Sequence, residues 1–120
     1  MINLIPLIAK ITFLSVGNVN LWLNHYEVKY SDVVLRQSIL ETGWYKCTDC
    51  SLRYNNIFGF YSDHYLTFDH WVLSVKYYKE WQDKRMPEGI ETKEQYYQWL
   101  TDYGYASAKD YVKTLKQIKL

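Results

Sequence analysis

Residues 31–44 read SDVVLRQSILETGW, an apolar helix pattern that ends at a glycine. Ser31 is a residue type that caps helices, apolar side chains follow it at helical spacing, and Gly43 is a natural helix terminator. Glu41 is the only acid between residues 33 and 43, so it lies in the last predicted turn. The negative end of the helix dipole and an apolar setting both favour a neutral, proton-donating carboxyl. We therefore predict a helix that carries a candidate general acid.

The residues after this helix predict an irregular segment and a second helix. Residues 44–66 are rich in Cys, Asn, Asp, Ser and Gly and lack helical periodicity, which is typical of a loop. From Thr67, apolar residues recur at spacings of three and four, which predicts a helix that ends near Trp81. The loop between the two helices is the expected location of a functional site.

Two further helices are predicted before the chain ends. Thr92 and Gln95 have the spacing of a capping box, and the apolar pattern that follows stops at Gly104. Ser107 and Asp110 bracket the start of a last helix with apolar residues on one face. The sequence therefore predicts a mainly α fold.

Composition limits the class of protein. A chain of 120 residues is long enough for one domain, residues 1–120, with a single core. Its 13 Tyr and 5 Trp exceed what so small a core needs, and such rings stack well on sugars or on a partner protein. With 14 Lys and Arg against 13 Asp and Glu, the net charge of +1 provides no basic surface for nucleic acid. We therefore expect no nucleic-acid partner.

The first eighteen residues form an apolar segment. Lys10 interrupts it and no basic residue precedes it, so residues 1–18 are interpreted as an N-terminal apolar helix or a signal-like segment. The apolar run is shorter than the ~20 residues needed to cross a bilayer. We expect no stable membrane span.

Four segments together resemble a known family. They read VVLRQSILETG at 33–43, NNIFG at 55–59, FDHWVLSV at 68–75 and GYA at 104–106, the last followed by Tyr111. In this order they resemble motifs of the bacterial and phage glucosaminidase domains, which are peptidoglycan hydrolases related to the flagellar muramidase. The resemblance covers nearly the whole chain, and the set is more specific than any one segment.

The resemblance implies a lysozyme-like helical domain with a groove for glycan strands of N-acetylglucosamine and N-acetylmuramic acid. It implies that Glu41 is the general acid and that Tyr105 stands near the reacting sugar. It also implies that the Asn55-Asn56 turn lines the groove. Asn pairs are common in tight turns as well, and the two roles are compatible. No metal or cofactor is expected. The predicted substrate-binding residues are Asn55, Asn56, Phe58, Tyr105, Tyr111 and Trp44.

The chain departs from longer members of the family in one region. Only a short segment separates Phe60 from Phe68, so the β-lobe found there in longer members is expected to be reduced or absent. That lobe can supply a second acid, for which Asp63 is the best candidate here. Asp49 is an alternative, whereas Asp69 suits the first turn of its helix. The substrate's own 2-acetamido group can also take this role, and both possibilities remain open.

Cys47, Cys50, His64 and His70 have the spacing of a two-cysteine, two-histidine zinc site. The segment from residue 62 to residue 70 contains two acids and no Lys or Arg, which argues against a nucleic-acid-binding zinc finger. A disulfide between Cys47 and Cys50, or a pair of free thiols, is the preferred interpretation.

The sequence thus predicts a glycoside hydrolase that cleaves β-1,4 bonds of peptidoglycan, of the endo-β-N-acetylglucosaminidase or muramidase-like type. We expect it to act at the bacterial cell wall as a periplasmic, extracellular or virion-associated protein, for example as an endolysin of a bacteriophage. The alternative is a non-catalytic glycan-binding or structural module, with partners in a phage particle or a secretion machine.

Overall fold

The computed structural model describes residues 5–106 and 109–120 and consists mainly of helices. Within these residues the only β-structure is an isolated antiparallel bridge between Tyr61 and Tyr65. The predicted mainly helical, lysozyme-like class with a reduced β-lobe is confirmed. In chain order the helices are α1 (Ile5–Thr12), α2 (Val16–His25), α3 (Ser31–Thr42), a 3₁₀ helix (Ser51–Tyr54), α4 (Trp71–Arg85), α5 (Lys93–Tyr103) and α6 (Tyr111–Gln117).

Helix α3 lies at the centre of the fold, packed against α2 and α6. Val33 and Val34 are fully buried on it, and so are the polar side chains of Gln37, Ser38 and Thr42. Helix α5 packs against α6, and α2 packs against α4. Tyr78 of α4 and Tyr96 of α5 are the largest fully buried side chains, so hydroxyl groups lie inside the core.

The predicted cap of α3 is wrong, although the predicted end is confirmed. The N-cap residue is Tyr30, in the left-handed conformation (φ 56°, ψ 45°) and without a side-chain cap bond. Its ring stacks on Tyr96 with centroids 4.8 Å apart, and its hydroxyl donates to the Ile90 carbonyl oxygen over 3.2 Å. These tertiary contacts fix the start of the helix at Ser31. Gly43 ends the helix with φ 54°, as expected for a C-terminal glycine.

Helix α4 begins four residues later than predicted, at Trp71, and continues beyond Trp81 to Arg85. The amide N–H of Phe68 donates to the Tyr54 carbonyl oxygen over 2.9 Å, so Phe68 is tied to the loop. His70 is the actual N-cap, since its Nδ1 accepts from the Val72 amide over 3.1 Å. The local His70 cap and the bond to the distant Tyr54, neither of which periodicity reveals, therefore set this boundary.

The predicted capping box of α5 is confirmed, because Thr92 and Gln95 each bond the other's backbone N–H. Gly104 follows the helix with φ 76°. Asp110 occupies the N-cap position of α6, whereas Ser107 lies outside the described residues. Local sequence signals thus set both ends of α5.

The predicted N-terminal apolar segment contains α1 and the start of α2, separated by Ser15, the N-cap of α2. Two indoles attach α1 to the core: Trp22 Nε1 donates to the Ile11 carbonyl oxygen (2.8 Å) and Trp71 Nε1 to that of Thr12 (2.9 Å). Among the residues that the structure describes, no helix has the length and apolarity required to cross a bilayer.

Candidate active site

The Glu41 carboxyl lies in the last turn of α3, partly buried against the 55–60 turn. Gly59 makes this approach possible. A Cβ added to Gly59 would stand 2.6 Å from Glu41 Oε2, and the φ of Gly59 is +70°, which also favours glycine. The absence of a side chain at Gly59, the glycine of the NNIFG segment, therefore leaves room for the Glu41 carboxyl.

Burial raises the pKa of Glu41 from its ordinary value of 4.5 to about 7. A hydrogen bond from the Tyr111 hydroxyl acts in the opposite direction, because it stabilises the charged carboxylate. The sequence predicted this direction from both the helix end and the apolar setting, and removal from water is the cause that the structure supports. Near neutral pH the group therefore exists in both forms, as a general acid requires.

Two tyrosines stand beside Glu41. Tyr105 and Tyr111 have stacked rings, with centroids 5.9 Å apart and an angle of 21° between the planes. The Tyr105 hydroxyl donates to the Phe58 carbonyl oxygen over 2.7 Å. Burial holds the pKa of both tyrosines well above the usual value, and the nearby Glu41 raises each further. Both hydroxyls therefore keep their protons at physiological pH.

The Asn55-Asn56 turn is held together by its own amides. Asn56 is fully buried; its Oδ1 accepts from the Phe60 amide (3.1 Å) and its Nδ2 donates to the Phe60 carbonyl oxygen (2.9 Å). Asn55 has φ 59° and donates to the carbonyl oxygen of Phe68 (2.9 Å). Phe58 is also fully buried. In this conformation these residues hold Gly59 against Glu41, and their contact with substrate remains a prediction.

An aromatic cleft of about 220 Å³ lies beside the Glu41 carboxyl. Gly59, which the carboxyl approaches, is one of the residues that line it. Trp81 and Tyr103 meet edge to face in its wall, with ring centroids 5.3 Å apart. Tyr61, which is 65% exposed, also lines it. Amphipathic rings of this kind suit stacking on sugar faces. The remaining lining residues are Phe60, Gly104 and Tyr105.

Trp44 and Asp63 lie at the surface. Trp44 follows the helix-ending glycine with φ 59°, and its side chain is 47% exposed. Asp63 is exposed at the tip of the turn that the Tyr61–Tyr65 bridge closes. Roles in substrate binding for Trp44 and in catalysis for Asp63 remain predictions.

Cys47 and Cys50 are joined by a disulfide, which was one of the two preferred interpretations of this pair. The bond engages both thiols that the alternative zinc site would require. In residues 5–106 and 109–120, no group of three or more His, Cys, Asp or Glu side chains is arranged to hold a metal ion.

Comparison with known proteins identifies the family. The glucosaminidase family, described as mannosyl-glycoprotein endo-β-N-acetylglucosaminidase, matches residues 19–119. The chain belongs to the glucosaminidase family, and its domain is of a glycan-hydrolase class. Searches of curated proteins and of solved structures found no significant match.

Several residues around the site were not predicted. Gln37 is fully buried one helical turn before Glu41. The spacing of four residues places it on the same face of α3, which was a usable signal. Trp81 was predicted only as the end of a helix. Its meeting with Tyr103 depends on how α4 and α5 pack, for which the sequence offers no local signal.

Proposed function

We propose that this protein is a glycoside hydrolase that cleaves β-1,4 glycosidic bonds in peptidoglycan, of the endo-β-N-acetylglucosaminidase type, with Glu41 as the general acid. The main support is the Glu41 carboxyl, which has a pKa of about 7 and packs against Gly59, a residue that lines the aromatic cleft. Membership of the glucosaminidase family supports a glycan substrate. The expected place of action is the bacterial cell wall.

In the proposed mechanism, protonated Glu41 donates its proton to the glycosidic oxygen as the bond from that oxygen to the anomeric carbon breaks. The leaving sugar departs as an alcohol, and positive charge develops on the ring that remains. Water then bonds through its oxygen to the anomeric carbon as the ionised Glu41 takes a proton from it, which gives the free sugar end and restores the acid. A pKa near 7 suits both steps.

The second group that stabilises the developing charge is either the Asp63 carboxylate or the 2-acetamido oxygen of the substrate. The substitution Asp63→Asn distinguishes them. If the carboxylate acts, release of reducing ends falls at least about a hundredfold, a typical loss for a group that acts on the transition state. If the acetamido group acts, release stays within a few-fold of that of the unsubstituted protein.

The Trp81–Tyr103 wall supports a model in which one sugar ring of the strand lies in the cleft while the scissile bond lies over Glu41. Trp44 offers a second exposed ring after α3. Stacking of a sugar on the cleft wall or on Trp44 requires no charge on the substrate. This fits a chain with a net charge of only +1.

The central test compares Glu41→Gln with Glu88→Gln. Both replace a glutamate by its amide, but Glu88 is exposed in the loop after α4. Purified peptidoglycan is incubated with each protein, and mass spectrometry identifies new reducing ends. We expect Glu41→Gln to lose release at least about a thousandfold, because an amide does not protonate the leaving oxygen. Full activity in Glu41→Gln would remove the assignment.

The reduced β-lobe supports a second candidate, a non-catalytic glycan-binding or structural module of a phage particle or secretion machine. Such a module would bind sedimented peptidoglycan without releasing reducing ends. The same assay therefore separates the two functions when the bound and the released fractions are both measured.

A further inference from the structure

A short hairpin occupies the region where the β-lobe was expected to be reduced. Tyr61 and Tyr65 form its antiparallel bridge, and the Leu66 N–H donates to the Phe60 carbonyl oxygen over 3.0 Å. We call residues 60–66 the hairpin. A two-stranded hairpin is only marginally stable by itself, so contacts with the rest of the domain must hold it in place.

One buried amide holds both ends of the hairpin. Asn56 Nδ2 donates to the carbonyl oxygens of Phe60 (2.9 Å) and Leu66 (3.0 Å). Its Oδ1 accepts from the Phe60 N–H over 3.1 Å. Asn56 is fully buried, so water does not compete for these bonds. The same residue belongs to the 55–60 turn, whose Gly59 lies against the Glu41 carboxyl. The hairpin is therefore fixed relative to the acid.

The hairpin brings Tyr61 to the aromatic cleft, which this side chain lines although it is 65% exposed. Tyr65 meets the Tyr61 ring edge to face, with centroids 5.2 Å apart and an angle of 87° between the planes. Tyr65 also packs on Tyr54, at the end of the 3₁₀ helix, with centroids 6.2 Å apart. It does not line the cleft. Tyr65 therefore connects the Tyr61 ring to the body of the domain.

Two rings from other elements line the same cleft. Trp81 comes from α4 and Tyr103 from α5, and these rings contact each other. Among the rings that the structure describes, Tyr61 contacts Tyr65 and neither of these two. The cleft of about 220 Å³ therefore has aromatic side chains from the hairpin on one side and from the helices on the other.

The chemistry of the cleft identifies what it can bind. Among the described residues that line it there is no charged side chain, so nothing there would pair with the carboxylates of an acidic peptide. Aromatic rings suit the apolar faces of a neutral sugar, and tyrosine hydroxyls can bond to its polar edge. An N-acetylglucosamine unit of a glycan strand meets both requirements.

We propose that the hairpin forms the second wall of the cleft, where Tyr61 contacts an N-acetylglucosamine unit opposite the Trp81 and Tyr103 rings. Tyr65 is then a positioning residue, because it acts through Tyr61. The inference deepens the proposed function and rests on it for the identity of the substrate. Tyr61 is absent from the substrate-binding residues predicted from the sequence. Seven residues would thus provide a substrate contact that does not need a full β-lobe.

The test measures binding of chitotetraose, an uncharged N-acetylglucosamine oligomer, to Glu41→Gln protein, in which cleavage is not expected. NMR titration of the tryptophan indole signals gives the Kd. We expect addition of Tyr61→Ala to weaken binding about five- to tenfold, because one stacking ring is lost. Tyr61→Phe keeps the ring, so its Kd should stay within about twofold.

Phe13→Ala is the matched control, since Phe13 is also a largely exposed ring (70%) but follows α1 and does not line the cleft. Its Kd should equal that of the Glu41→Gln protein.

A double-mutant cycle tests the positioning role of Tyr65. We expect Tyr65→Ala to weaken binding when Tyr61 is present and to add no further loss to Tyr61→Ala. A purely structural role would give the same loss in both backgrounds.

An unchanged Kd in Tyr61→Ala would overturn the inference, as would an equal loss in Phe13→Ala or the absence of chitotetraose binding by the Glu41→Gln protein. Because binding needs no catalysis, this result is independent of the proposed role of Glu41. Hydrolysis of peptidoglycan that persists in Glu41→Gln would remove that role, while the Kd values would still decide the role of the hairpin.

Discussion

Glu41, the proposed general acid, lowers the stability of the fold near neutral pH. The pKa of its carboxyl is about 7 in the folded state against an ordinary value of 4.5. Below about pH 4.5 the group is protonated whether the chain is folded or not. Between pH 4.5 and about 7 the carboxyl ionises in the unfolded chain but stays protonated in the folded one. Ionisation over this range therefore stabilises only the unfolded chain, and up to about 3 kcal/mol of the free energy of unfolding is lost.

The substitution Glu41→Gln removes this titration. Relative to the unsubstituted protein, we expect the variant to gain stability between pH 4.5 and pH 8, by up to about 3 kcal/mol. Urea unfolding at the two pH values measures the difference. A stability difference that does not change with pH would show that the folded carboxyl titrates normally.

The sequence was sufficient to place Glu41 in the last turn of α3 and to predict a raised pKa, because the acid, the helix stop and the apolar run are adjacent. It was not sufficient for the partners of Glu41. Tyr111 lies on a helix far along the chain, and Gln37 reaches Tyr78 across a separation of 41 residues. Such contacts depend on the packing of α3, α4 and α6, which periodicity does not specify.

At the scale of elements, the 55–60 turn decides where the acid sits. Its amides bond its own backbone, and Gly59 leaves room for the Glu41 carboxyl. The family resemblance included this turn, but its physical purpose becomes visible only with the approach of α3. Some helix ends likewise follow from the local sequence and others from tertiary contacts. Capping signals alone set α5, whereas the start of α4 depends on the His70 cap and also on the bond from Phe68 to the distant Tyr54.

Gly59→Ala tests the role of the turn. The added Cβ would meet Glu41 Oε2 at 2.6 Å in a backbone with φ +70°, so we expect displacement of the acid, loss of hydrolysis and a destabilisation of about 2–4 kcal/mol. Gly89→Ala is the control, because Gly89 also has a positive φ (+94°) but nothing lies within 4 Å of its added Cβ. Urea unfolding and release of reducing ends compare the two.

The backbone strain is common to both alanine variants, so their difference reports the contact with Glu41. If Gly59→Ala were as stable and as active as Gly89→Ala, the turn would not be the element that positions the acid.

At the scale of the whole molecule, a mainly helical domain surrounds one acid with tyrosines. The aromatic excess seen in the composition is divided between two places. Tyr78 and Tyr96 lie in the core and bond each other, whereas Trp81 and Tyr103 line the cleft. Composition predicted the excess but not this division, because burial depends on the packing of all the helices together.

The role of Glu41 as a proton donor is tested by the release of reducing ends from purified peptidoglycan as a function of pH. We expect release to fall as the pH rises through about 7, where Glu41 loses its proton, and almost no release at any pH by Glu41→Gln. Release by Glu41→Gln at the rate of the unsubstituted protein would contradict it.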